Sequence, residues 1–230
     1  MSACGSKGKY MPKYYADNYC RELDTVISGV IREGDACYLR FEDTIFYAQG
    51  GGQKSDRGTI ILNGREYRML KCVKDENGDP VHLSDIPDPE ALTGRPVHLV
   101  LDWDFRYRQM KLHTCLHIMH LLIEKQIGHG IENPLVADIE ESFAYNKYPN
   151  AVVSSVDMPA VEREMNELFQ TDTEVLTYAD ENDARYRYWK CGESVIPCGG
   201  IHVHRLSEIG RIRLTPHAKK GKMTVRVELA

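Results

Sequence analysis

Residues 105–126, FRYRQMKLHTCLHIMHLLIEKQ, decide how this chain is read. Leu112, Leu116, Met119 and Ile123 recur at the three-to-four spacing of one helix face, and Gly128 and Gly130 stop the pattern. The predicted helix, from about Phe105 to Gln126, divides the chain because the period before it is different. From Thr25 to about Leu99 the sequence runs in short strand-like stretches: TVISGVI, ACYLRF, TIFYA, GTIIL, EYRML and VHLVL. Turn chemistry at GGGQKSDRG, LNGRE and DENGDP separates them. Residues 86–96, IPDPEALTGRP, carry three prolines and read as the seam between a β-rich domain (1–96) and a second domain (97–230).

Beyond the first helix, a second is predicted over Met158 to Gln170, with Asp157 as cap and Pro159 in the first turn. AVVSSV, TEVLTYA, GRIRLTP and MTVRVEL read as strands. The expected fold class is therefore α+β: a small β-barrel-like domain, then an α/β sandwich with a central antiparallel sheet.

Composition narrows the function classes. With 42% hydrophobic and 27% charged residues, the 230-residue chain has enough apolar material to close a core. No stretch approaches the roughly 18 apolar residues of a membrane span, and the opening lacks an apolar signal core, so a cytoplasmic protein with no membrane partner is expected. Seven cysteines, an odd number at irregular spacing, point to free thiols or metal ligands and away from a disulfide framework. A net charge of −5 excludes binding to nucleic acid by bulk electrostatics, so any such contact needs a local patch. One candidate runs from Arg205 to Arg226, where Glu208 is the sole acid. Arg211, Arg213, Lys219, Lys220 and Lys222 are its candidate RNA contacts, set against the plain reading of a solvated strand face.

The strongest chemical signal is a pair of short motifs, His113-Thr-Cys-Leu-His117 and Cys198-Gly-Gly-Ile-His202. Four residues apart on a helix, His113 and His117 project from one face. Gly199 and Gly200 let the backbone turn so that Cys198 and His202 can converge on the same point. Three imidazoles and a thiolate prefer zinc to magnesium or calcium, which take oxygen ligands. Two histidines at this spacing are more often packing or surface residues, and the second motif is what favours ligation. A redox pair, a papain-like nucleophile, a serine hydrolase and a phosphate-binding loop each lack their usual sequence context. By itself the run Gly50-Gly51-Gly52-Gln53 is a flexible turn.

Taken in order, FYAQGGGQKSDRG, LDWDFRYRQMKLHTCLH and CGGIHVHRLSEIGRIRL resemble the editing domain of alanyl-tRNA synthetases and the free-standing AlaX proteins, of the medium-length type. The resemblance covers about Thr25 to the C-terminus. It implies a Zn2+ ion held by His113, His117, Cys198 and His202, beside a Gly-rich loop whose glutamine is Gln53. It further implies hydrolysis of the aminoacyl ester of mischarged tRNA(Ala), carrying serine or glycine. In that setting Gln53 is expected to hold the ester or the attacking water, and Thr114 to line the pocket. Gly51, Gly52 and Ile201 are expected at the substrate. The family usually has Thr where this chain has Ile201, which removes a hydroxyl beside two ligands. His120 and His204 are further imidazoles near the motifs. Two other readings stay open: a hydrolase of the same fold acting on another ester, and a zinc-stabilised RNA-binding module without catalysis.

Overall fold

Six strands with alternating burial form the first half of the fold. In this computed structural model, which describes residues 11–34, 36–131, 134–184 and 186–230, they follow a single helical turn, α1 (Lys13–Ala16). The strands are β1 (Glu22–Glu33), β2 (Ala36–Phe41), β3 (Gly58–Leu62), β4 (Arg65–Lys74), β5 (Pro80–Ser84) and β6 (Pro96–Leu101). They close into an antiparallel barrel in the order β1-β2-β5-β4-β3-β6, with β6 returning to β1. Closure removes sheet edges, and Ile27, Leu39, Ile60, Met69 and Leu99 fill the interior.

Two sequence expectations change here. The segment 86–96 lies on the β5–β6 connection, and Pro96 already pairs with Val26, so the chain leaves the barrel after Leu101. TIFYA is no strand. Ile45, Phe46, Tyr47 and Ala48 are all buried without alternation, and side chains satisfy the backbone: Phe46 N–H donates to Thr44 Oγ1, Tyr47 N–H to Asp56. A buried network continues from there. His82 Nδ1–H donates to the Leu39 carbonyl (3.1 Å), leaving Nε2 to accept from Thr44 Oγ1 (2.9 Å).

Asp102 caps helix α2 (Trp103–Ile127) by accepting from Phe105 N, and Gly128, at φ 79°, ends it. Beyond it come β7 (Val136–Ile139), β8 (Phe143–Pro149), α3 (Asn150–Val153), α4 (Met158–Leu168), β9 (Val175–Ala179), β10 (Arg187–Cys191), β11 (Ser194–Pro197), β12 (Ile212–Lys219) and β13 (Lys222–Leu229). One antiparallel sheet has the order β12-β13-β8-β7, and a smaller one β11-β10-β9. Helix α2 packs on β7, β8, β13 and α4, around a second core that includes Leu112, Met119, Tyr148, Met165, Trp189 and Val225. AVVSSV, expected as a strand, contains the turn of helix α3. Helix α4 carries the expected Asp157 cap.

Arg106 on α2 joins the two halves. Its fully buried guanidinium pairs with Asp56 and also donates to the carbonyls of Asn18 (2.8 Å) and Ile45 (2.5 Å). Among the described residues no helix is long and apolar enough to cross a membrane. Cys4 lies outside those residues; the other six cysteines are free thiols.

Candidate metal centre and active site

The i, i+4 spacing on α2 sets His113 and His117 side by side, ring centroids 5.1 Å apart. The loop after β11 brings up Cys198 and His202, so the four donor atoms of His113, His117, Cys198 and His202 lie within 4.8 Å of one another. Cys198 Sγ stands 3.6 Å from His113 Nε2 and 3.4 Å from His202 Nε2.

Hydrogen bonds behind the rings fix how they face. Gln53 Oε1 can only accept, so His113 Nδ1 carries the proton it donates there (2.9 Å) and Nε2 keeps its lone pair toward the cluster. Thr114 Oγ1 donates to the Met110 carbonyl (2.9 Å) and therefore accepts from His202 Nδ1–H (3.1 Å), which frees His202 Nε2 in the same way. Partners of this kind orient metal-binding imidazoles. His117 Nδ1 is buried with no hydrogen-bond partner.

Burial alone lowers the His113 pKa to about 4, and burial with neighbouring imidazoles drives His117 and His202 well below the usual histidine value. All three are neutral, as ligands must be. Burial raises the Cys198 thiol to about 11 against the opposing Gly200 N–H and Arg187, so a bound cation has to displace its proton. Two inward lone pairs, an orphaned imidazole nitrogen and a thiol fit a metal ion. Gly200 completes the cradle, since an added Cβ would come within 2.5 Å of His113 Nδ1.

The Gly-rich segment is a tight turn. Gly50 and Gln53 exchange backbone hydrogen bonds (3.1 and 3.0 Å), while Gly51 and Gly52 have φ of 59° and 78°. A Cβ on Gly52 would collide with the Ala137 carbonyl, and the Gly52 carbonyl accepts from Ile139 N–H (3.0 Å), so this barrel loop lies directly on β7. Gln109 secures the neighbouring backbone through Lys54 N and the Glu140 carbonyl.

A cavity of about 370 Å³ opens onto Gly51, His113, His117 and Cys198. Not every predicted residue reaches it. Gln53 spends its oxygen on His113 and on Ile201 N–H (3.2 Å), while its buried Nε2 stays without a partner. Thr114 is fully buried behind His202. The Ile201 side chain, 2% exposed, belongs to the core, so apolar bulk there fills packing space and does not face the cavity. Gly52 meets β7, leaving Gly51 of that pair at the cavity wall. His120 lines the cavity; His204 instead stacks on Tyr19 and bonds Asn18 Oδ1.

Sequence reading missed Asn18, which donates to the His202 carbonyl (2.7 Å), and Tyr15, which donates to Gly199 O (2.9 Å). Both act through backbone groups far away in sequence, which no motif records. The basic candidates are exposed but divided: Lys219, Lys220 and Lys222 form the tip of the β12–β13 hairpin, and Arg211 and Arg213 lie at its other end, about 20 Å away at strand rise. Register adds Lys147 and Arg226 to the same sheet face, Lys147 over the Tyr145 ring and Arg226 over the Phe143 ring, with Glu228 paired to Arg226.

With a closed barrel whose glycine turn lies beside a three-histidine, one-cysteine cluster on an α+β layer, the chain is similar to proteins that carry a tRNA-synthetase accessory module. The family model described as the threonyl and alanyl tRNA synthetase second additional domain matches residues 187–228. More narrowly, the chain belongs to the AlaX family of alanyl-tRNA editing proteins. It is 34% identical over 227 residues to alanyl-tRNA editing protein AlaX-M of Pyrococcus horikoshii, covering 94% of this chain and 95% of that one. To AlaX-L of the same organism it is 32% identical, spanning 56% of that longer protein. An alanine–tRNA ligase of Oceanobacillus iheyensis is 26% identical over 215 residues, 24% of its length.

Proposed function

We propose that this protein is a zinc-dependent, free-standing deacylase that acts in the cytoplasm on the aminoacyl ester of mischarged tRNA(Ala), with serine and then glycine as the amino acids removed. The observation that carries the reading is the convergence of four donor atoms within 4.8 Å beside a cavity of about 370 Å³. His113, His117, Cys198 and His202 hold the ion. When bound, zinc polarises an ester carbonyl and lowers the pKa of water toward about 7. His113, His117 and Cys198 face the cavity; His202 is anchored behind by Thr114 and Asn18.

The chain's own contributions follow from the contacts. Gln53 and Thr114 are positioning residues that set the His113 and His202 tautomers. Gly51, at the cavity wall, gives the acyl group close access to the backbone. Lys219, Lys220, Lys222, Arg211 and Arg213 supply the cationic surface that an acidic protein needs for tRNA, and their separation suits a long, rigid ligand.

Editing of this kind has a physical reason: a synthetase pocket for alanine discriminates against a missing methyl or an added hydroxyl by only about a hundredfold. The test is incubation with Ser-, Gly- and Ala-charged tRNA(Ala), following release of amino acid before and after chelation. Loss of serine in preference to alanine, abolished by chelator, is expected. Intact esters with zinc bound would leave a metal-stabilised RNA-binding module, and hydrolysis of other aminoacyl-tRNAs alone would indicate a different substrate.

A further inference from the structure

A second cavity, of about 620 Å³, is lined by the glycine turn, Lys54, Asp138 and the end of strand β4. It meets the cavity of the four-donor cluster at Gly51, which lines both. Strand alternation makes this lining cationic. Cys72 is fully buried in the barrel, so its neighbour Lys71 turns outward, and Lys74 is exposed where β4 ends. Lys54 is held by Glu140 (2.7 Å), whereas among the described residues neither Lys71 nor Lys74 takes part in an ion pair. The carboxylates beside them are committed. Asp138 accepts from Ile139 N–H (3.0 Å), and Asp75 pairs with Arg40 and accepts from Asn77 N–H and Asp79 N–H (both 2.9 Å). The turn adds two further donors. Gly51 N–H and Gly52 N–H have no acceptor among the described residues, and both glycines have positive φ. Successive backbone N–H groups in a turn form a concavity suited to an anion.

We infer that this groove holds the 5′-phosphate of the nucleotide whose ribose carries the aminoacyl ester, with Lys71 and Lys74 as its cationic partners. Connectivity selects that phosphate. The ester and the 5′-phosphate are attached to the same sugar, and the two cavities adjoin at one residue, so a ribose lying over Gly51 puts its ester toward the cluster and its phosphate toward the lysines. Gly51 leaves room for the sugar, since even an added Cβ there would meet nothing within 4 Å. The groove positions the substrate by charge and carries no information about which amino acid is attached.

The inference rests on the proposed ester hydrolysis, and its test separates the two. Single-turnover hydrolysis of Ser-charged tRNA(Ala) is followed for wild type, Lys71→Ala/Lys74→Ala and Lys71→Arg/Lys74→Arg, with zinc content and melting temperature checked. A second substrate carries one uncharged methylphosphonate in place of the phosphodiester between its last two nucleotides. On the native substrate the alanine variant should need roughly tenfold more protein for half-maximal rate. Its log–log salt slope should fall by about 1, the value of one phosphate contact, and the arginine variant should restore most of the loss. The methylphosphonate should weaken wild type by a similar factor and leave the alanine variant little changed. An alanine variant that behaves like wild type, or losses from lysines and linkage that simply add, would overturn the groove's role while leaving the deacylase standing. Hydrolysis of none of the seryl, glycyl and alanyl esters of tRNA(Ala) by wild-type protein would remove the deacylase reading and this inference with it.

Discussion

Replacing Arg106 by Met tests the junction on which the site is built. Met keeps an unbranched, apolar stem in a fully buried position but removes the guanidinium. Asp56, itself 1% exposed, is then left with Tyr47 N–H as its remaining donor among the contacts described, and the Asn18 and Ile45 carbonyls lose theirs. Breaking a buried ion pair from one side leaves an uncompensated charge and typically costs about 3–5 kcal/mol; for a chain of this size that corresponds to a melting point lower by on the order of 10 °C. Asp56→Asn in the same background removes the stranded charge and keeps an acceptor for Tyr47, so the double variant should recover about 2 kcal/mol of the loss. Urea unfolding followed by circular dichroism, with equal denaturant slopes, gives the numbers. A loss under about 1 kcal/mol for Arg106→Met, or strict additivity in the double variant, would refute the junction as described.

Gly200→Ala forces the His113 ring aside, so zinc affinity measured by chelator competition should fall about 10- to 100-fold with little change in secondary structure. Ile201→Thr removes buried alkyl volume from the core and should cost about 2 kcal/mol of stability, while the ratio of seryl to alanyl ester hydrolysis stays as in wild type. His82, lowered by burial to about 4, lies below the ~6.5 of an unfolded histidine, so the unfolded chain takes up the proton first. Its contribution is complete above about pH 6.5, declines toward pH 4 by at most about 3 kcal/mol and then levels off; His82→Gln should flatten this part of the acid unfolding curve. Replacing Lys219, Lys220 and Lys222 by Ala should lower the log–log salt slope of tRNA binding by roughly 2–3, and an unchanged slope would move the contact elsewhere.

The His113, His117, Cys198 and His202 cluster was readable because its four residues sit in two short motifs, one of them at helical spacing. Helix α2 was equally legible from its apolar stripe, and the barrel from alternating runs. What was hidden was hidden for a reason. Strand β8 buries Ala144, Asn146 and Tyr148 while Phe143 and Tyr145 sit less deeply, so its inward face is small or polar and no hydrophobic alternation marks it. TIFYA has the composition of a strand, yet Thr44 and Asp56 take up its N–H groups in place of a neighbouring strand. In AVVSSV the branched residues follow Pro149, at the position that opens the turn of α3, and of that turn only Val153 is buried. The roles of Gln53 and Thr114 depended on contacts across 60 and 88 residues of sequence, which composition cannot supply.

The seating of the Gly50–Gln53 turn on Ala137 and Ile139 has a consequence for the order of assembly. During synthesis the barrel and its glycine turn emerge first, the two helix histidines follow some sixty residues later, and the thiolate arrives only with Cys198. A nascent chain stopped before that point has the turn and two imidazoles in hand but no second pair of ligands to close around an ion. Capture of an ion by the proposed centre would thus be a late event, one that reports the loop after β11 docked on helix α2.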